Sequence, residues 1–265
     1  MSPTPRDAQR ASDNNPQRIL EQAVKTIIDQ MPPKLVPPRD SDEYKALKQD
    51  VTKQVLSRHL AVQLSNQVPD DIMVTGGTSL MLRAPNAKVT RDLDIITYFY
   101  PTQNNMDELC ELMSEDPNDP FTYKCRFDKS VQSRDGNSFK IDVYLGRQYK
   151  STIKIDAVEA RGSELNKDLS DFNDKAFEEL QIRDPLLTSH RNNNEHTTLK
   201  LLSPEKYLAG KIAGLFPIDE DGKLQNILRW KDLRDIMVLA TSVPIDADKF
   251  KEALAELVED SFDKE

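Results

Sequence analysis

The sequence predicts a mixed α+β domain: a small mixed sheet interleaved with helices over the first two-thirds, then a helical bundle at the C-terminal end. Three observations carry this. Short apolar runs with two-residue alternation recur between about residues 72 and 158. Apolar residues at three- and four-residue spacing dominate both ends. The length of 265 residues, 37% of them hydrophobic, suits one large domain or a core with a helical companion.

Residues 1–16 are polar, contain three prolines and read as a flexible tail. From Gln17 to Met31, Leu20, Ala23, Val24, Ile27 and Ile28 fall at helical spacing, and PPKLVPPRD then breaks the pattern. A second helix is expected from Ser41 or Asp42 to about Ser65, with Tyr44, Leu47, Val51, Val55, Leu60 and Leu64 on its inner stripe. These helices form an N-terminal unit over 17–68. A core unit follows over 69–160. It opens with the apolar run Ile72–Thr75, then Gly76-Gly77 and a helix-like TSLMLRA. A strand over Asp92–Tyr98 and a helix over Asn105–Ser114 come next. Three further strands are predicted over Phe121–Phe127, Ser138–Leu145 and Ser151–Val158. In the middle one Phe139, Ile141, Val143 and Leu145 share a face, with Lys140, Asp142 and Tyr144 on the other. Residues 161–202 are a polar connecting segment without a clear period. The C-terminal region, 203–265, reads as helices over Ser203–Leu215, Leu224–Thr241 and Ala247–Ser261. Ser203 is a good cap, and Pro204 suits the first helical position.

Composition excludes several classes of function. No apolar run approaches the ~20 residues that span a bilayer, and the N-terminus lacks the apolar stretch of a secretory signal. The expectation is an intracellular, cytoplasmic protein without a membrane partner. Two cysteines, Cys110 and Cys125, and three scattered histidines give neither a zinc site nor a disulfide framework. His190 and His196 fall in a polar stretch that reads as a loop. The formal net charge of −9 has the wrong sign for a generalist nucleic-acid binder, so an RNA or DNA substrate would need a local basic patch.

The chemistry is concentrated in Val74-Thr75-Gly76-Gly77-Thr78-Ser79-Leu80 and Thr90-Arg91-Asp92-Leu93-Asp94-Ile95. A strand that ends in two glycines and opens a helix lets backbone N–H groups approach a phosphate, at the positive end of the helix dipole. Asp92 and Asp94 are two apart on a strand, so both carboxylates leave one face while Leu93 and Ile95 pack inward. Paired carboxylates suit Mg²⁺ or Mn²⁺, which take oxygen ligands and leave positions for substrate phosphates. Alone, Gly-Gly is an ordinary turn and D-x-D an ordinary solvated strand edge. Their order, with 14 residues between Gly77 and Asp92, leaves room for one helix and a turn and brings them to neighbouring strand ends. A third acid would allow two metals to be held. Asp156 in Ile153–Ala157 and Asp142 in Lys140–Val143 share the same local pattern, and a cross-strand ion pair with a lysine is the plain alternative for both.

Near the C-terminus, Lys211 lies between Tyr207 and Leu215 on an apolar arc completed by Leu208 and Ile212. A lysine centred there calls for a phosphate or a carboxylate. Lys206 falls on the opposite, solvated side. Asp232 and Asp235 are neighbours on one helix face. Salt bridges to Arg229, Lys231 or Lys211 and a role at the nucleotide both fit them.

This combination resembles the polymerase-beta-like nucleotidyltransferase superfamily, and more closely the AbiEii (MenT-type) nucleotidyltransferase toxins. Gly76-Gly77-Thr78-Ser79-Leu80 with Arg83 matches that family's GGT-x-L-x-x-R element. Thr90–Ile95 matches its D-L-D element, with Lys88 where arginine is usual. Pro204–Ile212 and Arg229–Asp235 match its inward lysine and K-D-x-x-D elements. The resemblance covers about residues 70–240. It implies a third acid on a later strand, which prefers Asp156 to Asp142. It also implies metal ligation by Asp92, Asp94 and Asp156, with catalysis by these and Lys211. Nucleotide binding would fall to Gly76, Gly77, Thr78, Ser79, Lys211, Asp232 and Asp235. The implied reaction is transfer of a nucleoside monophosphate from an NTP to a tRNA 3′ end, another RNA or a protein hydroxyl. Lys206, Lys211, Lys223, Arg229, Lys231 and Arg234 are the candidate basic surface for RNA. An antitoxin or regulatory protein is the implied partner. The rival reading keeps the fold as a non-catalytic nucleotide- or protein-binding module.

Overall fold

A computed structural model describes residues 15–84, 90, 92–133, 136–160, 177–188, 195–216 and 229–262. Residues 1–14 of the expected tail, Lys88, Arg91, His190, Lys223 and parts of the segments 161–202 and 224–241 lie outside the described residues, while Asn15 and Pro16, expected in the tail, already belong to the start of the first helix. The rest forms seven α-helices and one mixed sheet. Helix α1 (Pro16–Gln30) starts on an Asn15 cap, and a 3₁₀ turn over Pro33–Leu35 follows. Helix α2 (Asp42–Gln67) starts where the Ser41 hydroxyl accepts the Tyr44 N–H. Then come β1 (Ile72–Thr75), α3 (Gly76–Arg83), β2 (Asp92–Thr97) and α4 (Gln103–Glu115). The strands β3 (Phe121–Ser133), β4 (Gly136–Leu145) and β5 (Gln148–Glu159) form an antiparallel meander. After β6 (Phe177–Ile182) and β7 (Thr197–Leu202), helices α5 (Pro204–Leu215), α6 (Trp230–Ser242) and α7 (Ala247–Phe262) complete the chain.

The sheet order is β3-β4-β5-β2-β1-β7-β6. Strands β2 and β5 run parallel, as do β1 and β7; the other neighbours are antiparallel. The fold is therefore the mixed α+β type expected. Its sheet extends further than the alternation showed, because β6 and β7 fall in the segment read as a connection.

One face of the sheet carries the main core. Leu93, Ile95, Phe139, Ile141, Ile153 and Ile155 are fully buried against α1, α2 and α4. The amphipathic pattern of α1 delivers Leu20, Val24 and Ile28 to it. Helix α2 is different: from Gln54 to Ser65 nearly every residue is buried, polar ones included. It is wrapped on all sides, so its apolar stripe understates its burial. A smaller core joins α3, α5 and α6 through Leu80, Ala84, Tyr207, Leu208 and Leu239.

A charged knot fixes α2. His59 is completely buried between two carboxylates, with Nδ1 2.7 Å from Asp184 and Nε2 3.0 Å from Asp119. Asp119 also accepts from Gln63 Nε2 at 2.6 Å and from the Tyr123 hydroxyl. Burial alone would strip the imidazole of its proton. Asp119 and Asp184 outweigh it and raise the His59 pKa to about 10. On Asp184, burial pushes upward and is outweighed by the His59 charge and hydrogen bond, so its carboxyl lies below the usual range.

A histidine raised in the folded state contributes stability that is complete below its unfolded pKa, about 6.5, and is lost as pH rises toward about 10. A lowered Asp184 contributes above the ordinary carboxylate pKa and loses it in acid. Stability should therefore plateau near pH 4–6.5 and decline on both sides, as urea unfolding from pH 3 to 10 would show. His59→Ala, which strands two buried carboxylates, should cost about 3–5 kcal/mol near pH 6 and flatten the alkaline decline.

Candidate functional site

The site is built where β1 turns into α3. Antiparallel pairing sets Thr75 opposite Asp94, and the chain then turns at Gly76 with φ of +59°. A Cβ at Gly76 would lie 1.7 Å from Asp94 Oδ2, so only glycine fits against this carboxylate. The Gly77 N–H donates to Asp94. The carboxylate thus caps the N-terminus of α3, where backbone donors and helix dipole favour an anion. Thr78 and Ser79 are fully buried behind the turn. The Thr78 hydroxyl donates to the Asp92 carbonyl at 3.2 Å and the Ser79 hydroxyl to the Gly76 carbonyl at 3.0 Å. Their local effect is to fasten the turn to the start of β2.

Parallel pairing of β2 with β5 sets Asp94 level with Asp156 and Asp92 level with Lys154. Alternation then puts Asp92, Asp94 and Asp156 on one face, while Leu93, Ile95, Ile155 and Ala157 enter the core. Burial pushes the Asp94 pKa upward first and the Asp156 charge adds to it, with Asp92 contributing less. The Gly77 N–H and Lys231 oppose the shift. Asp156 accepts from Lys154 Nζ at 2.9 Å and from the Ser138 hydroxyl. Asp142 lies elsewhere. Its strand, β4, is separated from β2 by β5, and Asp142 accepts from Arg126 at 2.7 Å and from Thr152.

A lysine that sequence reading missed completes this face. Lys53 of α2 reaches to 3.9 Å from Asp92 Oδ1 with its side chain only 23% exposed. No local pattern singles it out, since it is one of several lysines in the helix. Lys53, Lys154 and Lys231 thus bring positive charge to Asp92, Asp156 and Asp94 from three separate elements. The donor set is all oxygen and suits a hard divalent cation, with the lysines balancing charge in its place. Among the described residues, no three acid, histidine or cysteine side chains already converge as a metal cage.

Helices α5 and α6 bring a second cluster. Lys211 Nζ lies 2.8 Å from Asp232 Oδ1, 3.6 Å from Asp235 Oδ2 and 5.4 Å from the centre of the Tyr207 ring. Asp232 also meets Arg229 at 2.7 Å, and Asp235 meets Arg234 at 3.1 Å. Both aspartates are buried, so the carboxylate partner required by an inward lysine is present. Tyr207 joins the two clusters. Burial first, then the charges of Asp235, Asp94 and Asp232, push its hydroxyl pKa up, and the hydroxyl oxygen has no hydrogen-bond partner among the described residues. Lys206, expected in solvent, pairs with Glu256 of α7 at 3.1 Å. Of the described members of the basic surface expected over 206–234, only Lys231 is free of a direct carboxylate pair here. Arg83, 3% exposed, binds Glu178 and the Leu202 carbonyl, which ties α3 to β6 and the end of β7.

No helix among the described residues is long and apolar enough to cross a membrane. No curated protein matches the chain. Among solved structures, an antigenic nucleotidyltransferase-like protein from Paracoccidioides brasiliensis is similar, with 16% identity over 80% of this chain and 89% of that one, at a TM-score of 0.43. The nucleotidyltransferase toxin MenT4 from Mycobacterium tuberculosis H37Rv shows 13% identity over 78% and 88%, at 0.40. The polyadenylate synthase of Megavirus shows 12% over 93% and 39%, at 0.41. Residues 61–264 match the family described as "Nucleotidyl transferase AbiEii toxin, Type IV TA system". That match spans most of the chain, from within α2 to α7: the chain belongs to the AbiEii nucleotidyltransferase family and is a nucleotidyltransferase.

Proposed function

We propose that this chain transfers a nucleoside monophosphate from an NTP to a hydroxyl of an RNA, such as a tRNA 3′ end, or of a protein, with a divalent metal at Asp92, Asp94 and Asp156. The observation that carries this reading is the register that sets Asp94 level with Asp156 beside a glycine turn that only glycine can make. Two like charges held together against burial are costly, and a cation is the natural way to offset that cost. Magnesium or manganese, when bound, would neutralise the triphosphate and polarise its α-phosphate.

The protein's own groups supply the rest. The backbone at Gly76 and Gly77 borders the phosphates, and Thr78 and Ser79 brace that turn. Asp156 accepts the proton of the attacking hydroxyl, whose oxygen bonds to the α-phosphorus as the bond to the β-phosphate oxygen breaks and pyrophosphate leaves. Lys211, steadied by Asp232 and Asp235, and Lys53 at Asp92 meet the charge on the leaving phosphates. Family membership supports an antitoxin or regulatory protein as partner.

The test incubates the full chain with each labelled NTP, Mg²⁺ and total tRNA, following label and pyrophosphate together. Wild type should transfer label and Asp94→Ala should not. Label on tRNA or on protein names the acceptor; absence of transfer and of Mg²⁺-dependent NTP binding would sink the assignment of these residues. Lys53→Ala should lower kcat/KM for the NTP roughly three- to tenfold, mostly through kcat, the signature of a contact made as charge builds on the leaving phosphates.

Asp94→Asn separates function from stability. A carboxyl whose pKa is raised in the folded state opposes folding once it ionises. Removing that charge should raise Tm at neutral pH in EDTA by roughly 2–4 °C, although transfer is lost. The gain should fade in acid, where the wild type is protonated too. A lower Tm for Asp94→Asn at pH 7 would contradict the like-charge account.

A further inference from the structure

One buried polar group beside the carboxylates has no part in the chemistry above. Tyr207 of α5 is 4% exposed, and its ring packs with Leu80, Leu208 and Leu239 in the smaller core. Apolar contacts thus fix the ring, yet its hydroxyl oxygen is buried without a hydrogen-bond partner among the described residues. A buried hydroxyl left unpaired loses its hydration without replacement, and a phenylalanine would fill the same space without that cost. After burial itself, the charges that act on this hydroxyl most are those of Asp235, then Asp94 and Asp232. A donor held unpaired near a carboxylate suits a state in which that carboxylate has lost another partner.

Lys211 is that other partner. It follows Tyr207 by one turn of α5, with Nζ 5.4 Å from the centre of the tyrosine ring. The same Nζ lies 2.8 Å from Asp232 Oδ1 and 3.6 Å from Asp235 Oδ2. The two aspartates differ in what remains once Lys211 leaves. Asp232 Oδ2 keeps Arg229 at 2.7 Å. On Asp235, Arg234 reaches Oδ1 alone, at 3.1 Å, and Lys211 is the one cation at Oδ2 among the described residues. We infer that Tyr207 is a positioning residue for Lys211: as Lys211 moves onto the leaving phosphates, the tyrosine hydroxyl replaces it at Asp235 Oδ2 and gains the acceptor it lacks in the resting protein. This rests on the assignment of Lys211 to those phosphates. A hydroxyl donating to a carboxylate makes a stronger bond than one between neutral groups. The exchange therefore favours the state in which Lys211 meets phosphate.

Tyr207→Phe keeps the ring and removes only the hydroxyl. In the transfer assay on the full chain it should lower kcat roughly ten- to hundredfold with KM for the NTP little changed, since the new bond forms only as Lys211 leaves. Its Tm should hold or rise, by roughly 2–4 °C at most, because the resting hydroxyl has no partner. Both effects should change in Lys211→Met. There the hydroxyl reaches Asp235 in the resting protein, so adding Tyr207→Phe should lower Tm and leave the residual kcat within about twofold. Circular dichroism identifies a variant that fails to fold; if Lys211→Met does, kcat and Tm of Tyr207→Phe alone decide. A Tm loss in Tyr207→Phe alone would reveal a structural partner in the resting protein and overturn the inference. Unchanged kcat in that variant, or additive losses in the double variant, would overturn it too. Undiminished transfer by Lys211→Met would take Lys211 off the phosphates and the inference with it. If wild type transfers nothing, the functional reading fails by itself, and the two Tm comparisons, which need no substrate, still judge the exchange at Asp235.

Discussion

The candidate site depends on one constraint: Asp94 is held where it does not want to be charged. Three elements meet on it. The β1–α3 turn closes over its oxygens at a position that tolerates no Cβ, the Gly77 N–H fixes it, and parallel pairing sets it beside Asp156. Burial and like charge push its proton on, while one helix terminus and Lys231 pull it off. A side chain under such opposed forces gains more from a cation than one already balanced in solvent. On the proposed reading, the like-charge repulsion that would favour a cation here is also what lowers the protein's stability.

The charges that partly relieve it come from far apart in the chain. Lys53 belongs to α2, Lys154 to β5 and Lys231 to α6, so the face is assembled only when all three elements dock. For Lys53 the docking is set by His59. The two lie six residues apart, about 9 Å along the helix and roughly 120° apart around it. With His59 locked between Asp119 and Asp184, α2 cannot rotate or slide without breaking two buried ion pairs, and that lock holds Lys53 toward Asp92. A stability device on one side of the helix thereby aims a cation on another.

What local pattern could reveal, and what it could not, follows from range. The helix caps at Ser41 and Ser203, the β1–Gly–Gly–α3 turn and the alternation of β4 and β5 were legible, because each is decided by neighbours within a few residues. The placement of Lys211 was also legible: a lysine on an apolar arc demands a carboxylate or phosphate, and Asp232 and Asp235 stand there. Strand β7 was missed, because Thr197-Thr198-Leu199-Lys200-Leu201 offers few apolar residues and a polar lead-in. Its burial comes from β1 and α2, not from its own composition. His59 gave no sign of its role, since its partners are 60 and 125 residues away in sequence. Lys53 gave none either, because one of three lysines on α2 becomes distinctive only through what the fold sets opposite it.

The C-terminal cluster limits how any polyanion can engage the protein. Lys211, Arg229 and Arg234 are paired with Asp232 and Asp235, and Lys206 with Glu256, so this region offers little open positive field despite its basic composition. On the proposed reading, a triphosphate at Lys211 would meet not a bare cation but an exchange. Were Lys211 to turn toward phosphate, Asp232 would keep Arg229 and Asp235 would keep Arg234, so neither buried carboxylate would be stranded. An uncompensated buried charge would cost several kcal/mol, and the paired arrangement avoids that cost. The arginines thus act as understudies that let the lysine move. Recognition of a long nucleic acid by general electrostatics is disfavoured by the same pairing, which shifts selection of the acceptor toward shape and specific contacts near the carboxylates.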